Sequence, residues 1–176
     1  MCKNDIIYYT IDLRFERKSL KKTTSIFTRR HFIMIAIGSD HGGYELKLEI
    51  IEHLKKKGIE VKDFGCDSNK SCDYPVYAKP VSEAVASGEC ELGILVCGTG
   101  IGMSLAANKV DGIRAALCGD CFSAKATREH NNANILCLGA RTTGAGLALM
   151  IVDTFLDTPF SNEERHIRRI SMYSKM

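Results

Sequence analysis

The sequence predicts an α/β protein, a three-layer α/β/α sandwich built on a five-stranded parallel sheet. Three observations predict it. From Met34 onward, short apolar runs of strand length alternate with amphipathic stretches of helical period. Each connection between runs is long enough to hold a helix, and repeated strand–helix–strand units give parallel strands with right-handed crossovers. Polar and Gly-rich segments follow the runs, at the carboxyl ends of the strands, where open sheets of this class bind ligands.

In chain order, MIAIG (34–38) is the first strand. Residues 43–57 predict a helix, with Leu46, Ile50, Ile51 and Leu54 at helical spacing and Gly58 as its stop. IEVKDF (59–64) alternates as a strand does, and 65–73 is a polar loop. Residues 74–87 read as a helix that opens near Pro75, although Pro80 falls in its middle, where a missing N–H works against it. LGILVC (92–97) is a buried strand, followed by a Gly-rich turn and a helix over about 101–108. IRAALC (113–118) is the fourth strand, with a helix near 120–130, and NILCLG (134–139) is the fifth. Residues 143–156 form a very apolar helix and 162–174 a basic one. The whole is Rossmann-like in plan.

Residues 1–33 differ from the rest. They hold eight Lys/Arg and three acids, net +5, whereas the other 143 residues carry 16 basic and 18 acidic side chains. We expect an N-terminal extension over 1–33, disordered or the product of an upstream start codon, and one catalytic domain over 34–176. The body is mildly acidic with no basic stripe, so nucleic acid is not an expected partner. No run approaches the roughly 20 apolar residues of a bilayer span, so neither is a membrane. The eight cysteines follow no secretory signal, and several lie in apolar strand-like runs, where a free Cys acts as a small hydrophobe. A reducing cytoplasm is expected. Cys118-Gly119-Asp120-Cys121 is a single C-x-x-C with no second pair at zinc-site spacing, a weak metal or redox signal.

The residues able to do chemistry cluster after strands. Gly38-Ser39-Asp40-His41-Gly42-Gly43 follows the first, Cys97-Gly98-Thr99-Gly100-Ile101-Gly102 the third, and Gly139-Ala140-Arg141 the fifth. His130-Asn131-Asn132 ends the helix after the fourth, and the last helix carries Arg165, Arg168 and Arg169. The pattern predicts that all of these gather along one edge of the sheet. Each has a plain reading too: Asp40 as a helix cap, the histidines as surface side chains, the arginines as a solvated face. The GTGIG turn is not a dinucleotide fingerprint, because Met103 stands where the third Gly belongs and no acidic residue closes a second strand about 20 residues on. No G-K-[ST] follows either. What remains is a nest of N–H groups opening a helix, suited to an anion such as an enediolate oxygen.

GSDHGGYELK, DYPVYA, CGTGIGMSLAANKVDGIRAAL, TREHNNANIL, LGAR and NEERHIRRI, in this order from Met34 to the C-terminus, resemble the ribose-5-phosphate isomerase B family, which also includes the galactose-6-phosphate isomerase subunits. The resemblance implies an aldose–ketose isomerase acting on ribose 5-phosphate and ribulose 5-phosphate in the pentose phosphate pathway, through a cis-enediol and without metal or cofactor. It implies Cys97 as the base between C1 and C2, Gly98, Gly100, Ile101 and Gly102 as the anion hole, and Thr99 as an aid to proton exchange between O1 and O2. It implies Asp40 and His130 as the ring-opening pair, Asn131 on a sugar oxygen, and His41, Arg141, Arg165 and Arg169 on the phosphate and sugar chain. One branch of the family replaces the Cys by a Glu at the position of Met103; here the Cys is present and Met103 has no basic group. The resemblance further implies a homodimer or homotetramer with sites shared between subunits. An isomerase of galactose or allose 6-phosphate, and a non-catalytic phosphate- or nucleotide-binding module, remain as alternatives.

Overall fold

In the computed structural model, which describes residues 34–174, β1 (Met34–Ser39), β2 (Glu60–Asp63), β3 (Leu92–Cys97), β4 (Ala115–Leu117) and β5 (Ile135–Gly139) form one sheet. Their order is β2-β1-β3-β5-β4 and every pairing is parallel. Helices α1 (Tyr44–Lys56), α2 (Tyr74–Ala86), α3 (Ile101–Ala107), α4 (Cys121–Asn131) and α5 (Ala145–Asp157) follow the strands, and α6 (Glu164–Tyr173) closes the described chain. The expected extension over 1–33 lies outside the described residues.

The strands sort their side chains by parity, as a pleated sheet requires. Ile35, Ile37, Ile94, Val96, Leu136 and Leu138 point to one face, where α1, α4 and α5 cover them. Ala36, Leu95, Cys97, Ile135 and Cys137 point to the other, under α2 and α3. Both faces are dry, which is why the central runs are apolar throughout.

Two elements depart from the sequence reading. The fourth strand, Ala115–Leu117, is shorter than 113–118: Ile113 N donates to Val110 O at 3.1 Å and Arg114 N to Asn134 Oδ1 at 2.7 Å, so neither N–H enters the ladder, while the Asn108 amide accepts from Ala115 N at 2.9 Å and donates to Ala115 O at 2.8 Å on the strand's outer side. Helix α2 runs through Pro80 without a break. The carbonyl that Pro80 leaves without a helical partner is that of Val76, an exposed residue in the first helical turn, where solvent can reach the backbone.

The strand order locates the ligand crevice. The chain leaves β1 for β2 on one side and returns to β3 on the other, so the loops after β1 and β3 diverge and leave a cleft between them. Because β5 lies between β3 and β4, the loop after β5 comes to stand beside that after β3.

Candidate active site

At the carboxyl edge of the sheet, three loops meet. Asp40 follows β1 and is 8 % exposed. Its N–H donates to Val96 O at 3.2 Å, and its Oδ1 accepts the Gly43 N–H at 3.1 Å. Gly43 opens α1 so close to β3 that a Cβ there would lie 2.5 Å from Val96 O, so only glycine fits. A Cβ on Gly42 would touch Asp40 Oδ1 and Gly98 N at 3.3 Å each, which measures how near the first loop stands to the second. Cys97 ends β3 buried, and its sulfur accepts the Gly100 N–H at 3.0 Å. Gly100 has φ +78°, a left-handed conformation that lets the chain fold back over Cys97 before α3 begins. Thr99 is exposed, with Ile101 N 3.4 Å from its Oγ1, and Gly102 packs under the Tyr74 ring.

The third loop is fastened to the second. Ala140 N donates to Cys97 O at 2.8 Å and Arg141 N to Gly98 O at 2.9 Å. The Arg141 side chain runs past Gly98, whose Cβ, if present, would be 3.5 Å from Arg141 Nε. His41 closes the other side. Its Nδ1 lies 3.2 Å from Cys72 N and 3.3 Å from Cys72 O. Nδ1 accepts from Cys72 N–H in one tautomer and donates to Cys72 O in the other, so either way the Cys72 backbone holds the ring. A hollow of about 280 Å³ is bordered by His41, Gly42, Ala140 and Thr143. One carboxylate, one imidazole, one thiol, one guanidinium and a turn rich in N–H groups therefore share this edge.

The other four expected residues do not join them. A helix after a parallel strand runs back toward the start of the next strand. So the end of α4 lies at the amino edge of the sheet. There Asn134 O accepts from Gly93 N, at the start of β3, and Asn134 N donates to Arg114 O, just before β4. His130 and Asn131 are thus separated from the carboxyl edge by the 11-residue length of α4, about 16 Å. Helix α6 is on the same side: His166 Nδ1 lies 3.3 Å from Glu129 O and Tyr173 OH 3.4 Å from Asn131 O. The exposed Arg165 and Arg169 go with it, Arg165 Nε being 2.8 Å from Glu163 Oε2. The expectation that all the groups gather along one edge of a single chain is corrected on this point. His130, Asn131, Arg165 and Arg169 end or follow helices, and helices return to the opposite edge.

The larger hollow, about 590 Å³, belongs to the amino edge and is lined by Arg114, Asn131 and Tyr173 among others. Size does not make it the reacting centre, because the thiol, the carboxylate and the N–H turn are elsewhere. Next to His130, the buried His166 ring sits at a centroid distance of 4.5 Å, with Nδ1 3.0 Å from Ser161 Oγ.

One participant escaped the sequence reading. Lys47 is 1 % exposed, and its Nζ contacts both Asp63 carboxylate oxygens and Cys66 O, each at 2.8 Å. The signal was present, since 47 is in step with the apolar stripe at 50, 51 and 54, and a charged residue in such a stripe must find a buried partner. The C-x-x-C spans the turn from β4 into α4. Asp120 caps α4, accepting from Ser123 N at 2.7 Å, and burial, with Asp120 nearby, pushes the Cys118 thiol up to about 11. Burial likewise raises Cys137. Among the described residues all seven cysteines are free, no group of His, Cys, Asp and Glu is arranged to hold a metal, and no helix is long and apolar enough to cross a membrane.

Residues 35–173 match the model of the ribose/galactose isomerase family. Ribose-5-phosphate isomerase B of Escherichia coli is 49 % identical over 136 residues, 77 % of this chain and 91 % of that protein. Galactose-6-phosphate isomerase subunit LacB of Clostridium acetobutylicum is 45 % identical over 128 residues, 73 % of this chain and 74 % of that one. A crystal structure of a ribose 5-phosphate isomerase from Thermotoga maritima superposes with a TM-score of 0.81 at 53 % identity, covering 83 % of this chain and all of the other.

Proposed function

This chain belongs to the ribose/galactose isomerase family, and from that premise we propose that it interconverts ribose 5-phosphate and ribulose 5-phosphate through a cis-enediolate. The observation that carries the reading is the Cys97 sulfur, buried beside an N–H turn whose first residue, Gly98, stands next to the Asp40 loop on one side and the Arg141 side chain on the other. Aldose–ketose isomerisation moves one proton between adjacent carbons and transfers no net electrons. It requires a base placed against C1 and C2 and donors placed against the oxygen on which charge develops. Cys97 removes the C2 proton of the aldose and returns it to C1. The turn Gly98, Gly100, Ile101 and Gly102 holds the developing oxyanion, the Gly100 N–H being shared with the Cys97 sulfur, and the Thr99 hydroxyl exchanges the proton between O1 and O2. Asp40 and His130 open the furanose ring, with Asn131 on a sugar oxygen. His41, Arg141, Arg165 and Arg169 hold the phosphate and the sugar chain, Arg serving through its bidentate fork. No step calls for a metal or an organic cofactor.

The distance between the two edges supports a site shared by two copies: the amino edge of one chain brings His130, Asn131, Arg165 and Arg169 to the carboxyl edge of another. Exposed Leu105, Phe122, Met150, Ile167 and Met172 supply apolar surface for such a homodimer or for a homotetramer. On this reading the chain works in the pentose phosphate pathway, and the free cysteines of the described residues suit a reducing cytoplasm. The similarity to a galactose-6-phosphate isomerase subunit keeps a six-carbon sugar phosphate as the second reading. Parallel turnover assays with ribose 5-phosphate, galactose 6-phosphate and allose 6-phosphate, each with excess chelator, test all of this. The reading expects ribose 5-phosphate to have the highest kcat/KM and chelation to leave it unchanged. Preference for a hexose phosphate selects the second reading, and turnover of none of them rejects both.

A further inference from the structure

We propose that Lys47 is a positioning residue that holds Asp40 and His41 in working geometry, an inference that rests on the isomerase reading. Burying an ammonium group costs stability that an apolar side chain of similar size would not, so its retention calls for a reason in geometry. Lys47 starts from α1, where its own N–H donates to Gly43 O at 2.9 Å. Its head then reaches the segment after β2, gripping both Asp63 oxygens and Cys66 O at 2.8 Å. Asp63 Oδ1 also accepts Gly65 N at 2.9 Å, so the ammonium fixes the whole turn 63–66.

That turn is the strut beneath the first catalytic loop. Ser39 N donates to Gly65 O at 2.7 Å, and Cys66 N donates to Ser39 O at 2.9 Å. Both backbone polar groups of Ser39 are thereby tied to the segment Lys47 holds, and Asp40 and His41 come next in the chain. The same segment leads on to Cys72, whose backbone meets His41 Nδ1. Cys97 is held by other means, the Gly100 N–H on its sulfur and Ala140 N on its carbonyl. Removing the ammonium should therefore loosen one catalytic loop and leave the other in place.

The experiment compares the full-length protein with Lys47→Met, and with Asp63→Asn as a second way to weaken the same pair. Hydrogen exchange read by mass spectrometry follows peptides spanning 37–44, 64–73 and 93–104. Iodoacetamide alkylation reports Cys97, and kcat/KM reports function. The proposal expects faster exchange in the first two peptides and none of that change in the third. It expects an unchanged Cys97 alkylation rate and a fall in kcat/KM on the order of tenfold or more, as for small misplacements near the chemistry. Faster exchange with unaltered turnover would make Lys47 a structural residue only and overturn the proposal. So would a parallel loss of turnover and alkylation, which marks general loosening. If Lys47→Met does not fold, Asp63→Asn decides on the same readings. A wild-type protein inert toward all three sugar phosphates would sink the isomerase reading instead, and the exchange pattern would still show whether Lys47 holds the first loop.

Discussion

The two edges of the sheet carry equal shares of chemistry and are built differently. At the carboxyl edge, Asp40, Cys97 and Arg141 stand within two residues of the ends of β1, β3 and β5, and main-chain hydrogen bonds between neighbouring loops lock them together. At the amino edge, His130 and Asn131 end α4, and Arg165 and Arg169 ride on α6, whose described links to the domain are side-chain contacts such as that of His166 with Glu129 O. The first edge is held together by main-chain hydrogen bonds within one chain, and in the proposed reaction it supplies the base and the N–H turn. The second is an exposed cationic and imidazole surface with nothing of its own chain to act on. The difference is what the proposed shared site requires, with a second copy bringing the two edges together.

The largest effect should come from the carboxyl edge. Cys97→Ser keeps size nearly constant but replaces the thiol by a hydroxyl far too weakly acidic to serve as base. Steady-state assays should find kcat lower by about 10²–10⁴, with KM little changed. Cys118→Ser and Cys137→Ser should cost stability and spare turnover per folded molecule, since burial keeps both thiols protonated. Near-normal kcat in Cys97→Ser would move the base to Asp40 or His130.

Mixing tests the division itself. Chains carrying Cys97→Ser and chains carrying His130→Ala, each nearly inactive alone, should regain activity when co-expressed. In a two-fold dimer the mixed species has one site with both defects and one with neither, so about a quarter of wild-type activity should return. Absence of recovery, with mixed dimers shown to form, would place each site within one chain.

At the amino edge, Arg169→Ala should act on binding. The phosphate is held in ground and transition states alike, so KM should rise about 10–100-fold, the worth of a charged hydrogen bond, while kcat changes little. An unaltered KM for ribose 5-phosphate would remove Arg169 from the phosphate site.

The contrast between edges also explains what could be read without coordinates. The three central strands and the loops at 40, 97 and 141 were legible because a buried parallel strand is apolar throughout, and the edge strand β2 because its residues alternate. The amino-edge residues carried recognisable chemistry, but their place depended on helix direction, and a residue at the end of a helix stands a helix length from one at the end of a strand. The burial of Lys47 was legible in the stripe of its helix, but its partners were not. Its partners, Asp63 and the Cys66 carbonyl, lie 16 and 19 residues away, and only the tertiary fold brings them under α1. The short β4 was illegible for the same reason, since the Arg114 N–H that would extend it goes to the Asn134 side chain, 20 residues on.

The smallest effect should come from a change that favours neither edge. On the outer surface of the α1–α5 layer, Asp153 Oδ1 lies 2.8 Å from His53 Nε2 and 2.7 Å from Lys57 Nζ. Burial alone would raise its carboxyl, but the hydrogen bonds from Lys57 and His53 outweigh burial and hold it below the usual carboxylate value of 3.8. A carboxyl depressed in the folded state stabilises fully above its unfolded value, and that contribution is lost as pH falls through the folded one. Asp153→Asn should therefore lower stability at neutral pH by about 0.2–1 kcal/mol, the range for partly exposed pairs. In melting curves the gap from wild type should narrow as pH drops below about 4 and close at lower pH. Turnover and recovery on mixing should stay at wild-type values, because Asp153 lies on neither edge. A gap that widens in acid would reverse the assigned sign, and a change in kcat would show that this layer communicates with the reacting centre.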